Sequence, residues 1–79
     1  MGRLPGLKVK EVEKILRRAG FIEDRVRGSH ITFYSPEKDV FTTVPFHSRD
    51  IATGTLRAII KQIGMSVDEF VGYLRKRKG

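Results

Sequence analysis

Between residues 9 and 19 the apolar positions Val9, Val12, Ile15, Leu16 and Ala19 recur at steps of three and four, while Lys10, Lys14 and Arg17 fall on another face. That spacing predicts an amphipathic helix with one buried stripe. Gly20 supplies a left-handed stop, and Phe21 can fold back on the last turn. From 21 to 34 the period changes: FIEDRVRGSHITFY reads as two short strands with a tight reversal around Arg27, Gly28 and Ser29, because glycine admits the positive φ that hairpin turns require. SPEKD, 35 to 39, is a second turn cluster, and VFTTV, 40 to 44, is a β-branched and aromatic strand ended by Pro45. Past the loop PFHSRDIA, Thr53 or Thr55 is placed to cap a helix whose stripe is Leu56, Ile59, Ile60 and Ile63, stopped by Gly64. Ser66 and Glu69 fit a capping box opening a last helix, with Val67, Phe70, Val71 and Leu74 inward. The order is α-β-β-β-α plus a short C-terminal helix. An α+β fold follows, a three-stranded antiparallel sheet with helices covering one face.

Length and charge narrow the picture. Seventy-nine residues leave room for one domain with one modest core, with residues 1–6 and 75–79 expected to be loose. No cysteine is present, so disulfides and thiolate metal sites are excluded. Two histidines, and carboxylates lying in turns without ligand spacing, predict no metal and no cofactor. No apolar run approaches a membrane span and no secretion signal is recognisable, which predicts a soluble cytoplasmic protein with no membrane partner. Sixteen Lys and Arg against nine Asp and Glu give a formal charge of +7, a positive potential for any polyanion, and nucleic acid is the leading partner class. Both ends of the chain are basic and the middle is nearly neutral.

Four short motifs carry a resemblance. GF at 20 to 21, GSHxxF at 28 to 33, VPFH at 44 to 47 and GTLRAIIKQIG at 54 to 64 occur in the order of the HicA toxin family, also called YcfA-like proteins. Each motif is weak alone; the four in order over 45 residues are specific together. The chain resembles that family from about Leu7 to Phe70. The resemblance implies a double-stranded-RNA-binding-domain-like (dsRBD-like) fold, which agrees with the element order read independently. It also implies a toxin acting as an mRNA endonuclease, an enzyme held inactive by a neighbouring HicB-type antitoxin, and it implicates the histidine of GSH, His30, in cleavage. Contact with DNA is expected only indirectly, through the antitoxin complex.

Elementary chemistry supports that role without requiring it. RNA carries its own nucleophile, the 2′-hydroxyl, so cleavage needs a base, an acid for the departing 5′-oxygen and positive charge for the phosphorane. Imidazole, with an ordinary pKa of about 6.5, serves the first two roles near neutrality. With Ile31 and Phe33 pointing inward, the two-residue period sends His30, Thr32 and Tyr34 to the opposite face. A strand-end histidine bonded only to its turn is the competing reading. Arg25 and Arg27 are candidates for the scissile phosphate, and Ser29 either orients the imidazole or fills the turn. His47 could share acid and base duties if it approaches His30. For backbone binding, Thr53, Gly54 and Thr55 offer helix-terminal amides to a phosphate, Arg57 and Lys61 extend that strip by one helical turn, and Lys10 and Lys14, with Arg17, make a second basic stripe. A non-catalytic RNA-binding module of the same fold is the alternative function.

Overall fold

Glycines in the left-handed region end the first two helices, as their positions predict. Helix α1 (Val9–Arg18) stops at Gly20, φ +95°. The amide of Phe21 reaches back to the Leu16 carbonyl at 2.9 Å and that of Gly20 to Arg17 at 3.1 Å, the paired bonds of a Schellman motif. Helix α2 (Thr53–Gln62) ends the same way at Gly64, φ +74°, with Met65 N–H to Ile60 at 3.2 Å and Gly64 N–H to Lys61 at 3.1 Å. Helix α3 (Val67–Arg75) opens on the expected capping box: the Ser66 amide donates to Glu69 Oε1 at 3.0 Å, and the Glu69 amide to Ser66 Oγ at 3.1 Å.

The computed structural model describes residues 4–75. Strands β1 (Ile22–Arg27), β2 (His30–Ser35) and β3 (Val40–Pro45) form one antiparallel sheet in the order β1-β2-β3. With the helices, this is the dsRBD-like α+β arrangement with an added C-terminal helix. Gly28, φ +57°, is the first of two turn residues between β1 and β2, the pattern of a type II′ hairpin turn. Asp39 adopts φ +56° at the end of the second turn, a conformation that Asp tolerates better than most side chains.

One face of the sheet carries the core. Phe33 and Val44 are wholly buried there, Ile31 nearly so, against Val12, Ile15 and Leu16 of α1 and Leu56, Ile59 and Ile60 of α2. Each such side chain contributes about 1.5–3 kcal/mol relative to exposure. Phe70 of α3 is fully buried in the same cluster, with Val67, Tyr73 and Leu74 packed partly buried around it. Tyr73 takes the place expected of Val71, because helical periodicity alone does not say how α3 lies on α1. Arg18 ties the two helices, its Nη1 donating to the carbonyls of Tyr73 at 2.7 Å and Leu74 at 3.1 Å.

The helical layer does not reach β1. Every residue of that strand is exposed, and Val26, although paired with Ile31 on the inner side, stays 54% accessible. At the sheet's inner surface Arg17 closes part of the gap: its guanidinium lies 5.5 Å from the centre of the Phe33 ring and meets Glu23 at 3.1 Å and Glu13 at 3.7 Å. Arg17 is thus committed to packing rather than to an open basic stripe. Neither Thr53 nor Thr55 caps α2; Ala52 is the N-cap and no side chain bonds there, because the chain enters the helix from the segment paired with residues 7–9. The loose ends expected at 1–6 and 75–79 lie mostly outside the described residues; within them, Leu4 packs against the core and Arg75 is the last residue of α3. Among the described residues no helix is long and apolar enough to cross a membrane.

Candidate functional site

Strand register decides what surrounds His30. Residue 30 pairs with Arg27 on one side and Pro45 on the other, and Thr32 pairs with Arg25 and Thr43. Directly opposed residues of an antiparallel pair share a face, so His30, Arg27, Arg25 and Thr32 all lie on the face away from the helices. The burial of β2 alternates accordingly: His30 is exposed, Thr32 and Tyr34 half-buried, and Ile31, Phe33 and Ser35 buried. Farther along the same face Ile22, Tyr34 and Phe41 form an apolar row. The Tyr34 and Phe41 rings are 4.5 Å apart between centroids.

A β-bulge puts the arginines there. Glu23 opposes Phe33 but Arg25 opposes Thr32, leaving Asp24 as an extra residue. Since side chains alternate with period two, an unbulged ladder would turn Arg25 and Arg27 to the inner face and Val26 to the outer. Arg25 Nε sits 3.4 Å from Asp24 Oδ2, whereas Arg27 has no ion-pair partner among the described residues. Ser29 is a turn residue whose carbonyl accepts the Phe46 amide at 2.8 Å; no bond joins its hydroxyl to the imidazole. Tyr34 donates to Asp39 Oδ1 at 2.9 Å. That hydrogen bond, with desolvation and the Asp39 and Asp24 charges, pushes the phenol pKa above its usual value.

The second histidine lies elsewhere. His47 belongs to the loop after β3 and lines a groove of about 710 Å³ on the helix side of the sheet. His30 does not line it. The groove exists because residues 7–9 and 49–51 lie antiparallel: Val9 N–H donates to Arg49 at 2.8 Å and Ile51 N–H to Leu7 at 3.2 Å, and Lys8 Nζ approaches Asp50 at 3.6 Å. Lys8, Lys10 and Arg49 bring positive charge to it, and Val9, Ile31 and Phe46 bring apolar surface. Lys8 and Arg49 are groove residues outside the sequence motifs, and Phe46 stands within VPFH without a role read from sequence; the contact between 7–9 and 49–51 spans some 40 residues and leaves no local signal beyond the charges themselves.

Of the other predicted residues, Thr53, Gly54 and Thr55 form the first turn of α2, and Arg57 and Lys61 are exposed one turn apart along that helix. Lys14 is exposed on α1. Because α2 starts three residues after Asp50, its N-terminus lies at the end of the molecule that holds the groove. Among the described residues no group of three or more His, Asp or Glu side chains converges as a metal ligand set would.

Comparison with curated proteins returned no match. The family model described as the HicA toxin of bacterial toxin-antitoxin matches residues 9–65. That span runs from the first residue of α1 past the end of α2, and includes His30, its hairpin and the groove loop. Matched over well beyond half its length, the chain belongs to the HicA toxin family, the toxins of bacterial toxin–antitoxin systems.

Proposed function

We propose that this toxin is a metal-independent endoribonuclease that cleaves mRNA through His30 and is neutralised by a HicB-type antitoxin. The reading rests on one observation: an exposed imidazole at the start of β2 with Arg27 opposite it and Arg25 one row away on the same face. His30 takes the proton of a ribose 2′-hydroxyl as that oxygen attacks the adjacent phosphorus. The bond to the 5′-oxygen breaks, and the proton held by the imidazole is available to the departing oxygen. Products are a 2′,3′-cyclic phosphate and a free 5′-hydroxyl. Arg25 and Arg27 stabilise the phosphorane through charge-assisted hydrogen bonds that strengthen as charge accumulates. His47, on the groove side, is not assigned the second proton-transfer role.

Backbone phosphates along the rest of the strand meet the Thr53–Thr55 amides, Arg57, Lys61, Lys10 and Lys14. Covering His30 is the simplest way for the antitoxin to silence the enzyme. The test is cleavage of single-stranded mRNA in the presence of a chelator. Wild-type protein should cut, and His30→Ala should lose at least about 100-fold in rate with unchanged circular dichroism and RNA affinity. Full cutting by the variant would overturn the assignment; RNA binding without cutting by the wild type would make the protein a binding module.

A further inference from the structure

We infer that the groove between the start of α1 and the loop after β3 is a binding subsite for one unpaired nucleotide of the RNA, beside the cleaved bond. This rests on the ribonuclease reading for the identity of the polymer, and on the groove's own chemistry for the rest. Its volume, about 710 Å³, falls in the range of small-ligand sites, which are mostly apolar with a few placed polar groups. Phe46, 37% exposed, offers the groove an aromatic ring for a base, with Ile31 as apolar lining beside it. Lys10, Arg49 and His47 line the same groove and have no ion-pair partners among the described residues. Glu13 is the acidic lining residue, and its carboxylate is held by Arg17 at 3.7 Å. The surplus is positive, which complements a phosphate and not an acid-poor peptide or a cation.

The groove is also joined to the catalytic hairpin. Phe46 N–H donates to the Ser29 carbonyl at 2.8 Å, and Pro45 pairs with His30. A strand crossing the end of the sheet would present its scissile phosphate to His30 on the outer face and turn the neighbouring base into the groove on the inner side. A duplex, whose bases are stacked and paired, cannot make that turn. The subsite would therefore select unpaired RNA, by a base–aromatic contact with a nearby phosphate clamp.

The experiment uses a fluorescent single-stranded oligoribonucleotide and its duplex, titrated into the full chain carrying His30→Ala so that no substrate is consumed. Adding Phe46→Ala should weaken single-strand binding about tenfold and leave duplex binding within twofold of the parent, with Phe46→Tyr restoring it. Adding Arg49→Ala should weaken single-strand binding and lower the slope of log affinity against log salt by about one. Lys38→Ala, in the turn at the opposite end of β2, is the control and should change little. Groove variants that bind the single strand like the parent, or lose duplex binding equally, overturn the subsite. So does loss of antitoxin binding alone, which would make the groove a protein-docking surface. If the wild type does not cut RNA but these binding differences hold, the catalytic proposal fails and the subsite stands; if it cuts through His30 and the groove variants bind normally, only the subsite fails.

Discussion

Gly28 and Asp39 bracket β2 with positive φ at both of its turns, and between them alternate side chains are sorted to opposite faces. At position 30 this leaves the imidazole exposed, and the motif alone was enough to expect it: a glycine for the turn, then a strand with two inward residues, Ile31 and Phe33. The neighbours of Tyr34 were not legible in the same way, because its partner Asp39 is oriented by the second turn. That contact makes a measurable claim. Asp39 holds the phenol pKa above the ordinary value of about 10, so the bonded O–H form is favoured in the folded protein. The stabilisation is present below the unfolded phenol's pKa and is lost as pH rises through the folded one. In Asp39→Asn, which removes the charge, the Tyr34 ring resonances should titrate at lower pH than in the wild type. An unchanged midpoint would mean that the carboxylate is not the cause.

At the scale of elements, the helix boundaries and strand order follow from local chemistry, and the exceptions come from pairing with distant segments. The two Schellman glycines and the Ser66–Glu69 box act within one turn, so sequence suffices to locate them. Ala52 as the α2 N-cap and the packing of Tyr73 against the core depend on contacts with residues 7–9 and with α1. Most consequential is the bulge at Asp24, a position that as sequence reads only as one more charged strand residue. Deleting Asp24 should restore the regular ladder and leave Arg25 and Arg27 opposite Thr32 and His30, so that variant should still cut RNA, whereas the Arg25→Ala/Arg27→Ala double variant should lose activity. We expect RNA cleavage by that double variant to fall about 100-fold, in the range seen when one preorganised donor to a developing charge is lost. A double variant that folds, judged by circular dichroism, and cuts at the wild-type rate would remove both arginines from the mechanism.

Over the whole molecule, a small core and a large positive charge pull in opposite directions. Domains of this size have only about 0.05–0.15 kcal/mol of stability per residue, and like charges on the surface reduce it further. Phe70 therefore matters beyond its helix: wholly buried beneath α3, it makes this last helix part of the core. Phe70→Ala should cost about 3–5 kcal/mol, enough to leave much of the chain unfolded in a urea titration at neutral pH. A loss under 1 kcal/mol would show α3 to be an appendage. The basic charge, the element order, the helix stops and the exposure of His30 were determined by sequence alone, because each depends on composition or on backbone geometry over a few residues. Which cations share the histidine's face, which one turns inward onto Phe33, and that Phe46 and Arg49 border a groove with Lys10 were decided only by tertiary structure. Those outcomes depend on strand register and on the meeting of residues 7–9 with 49–51, where contacts distant in the chain compete and local periodicity carries no information about the winner.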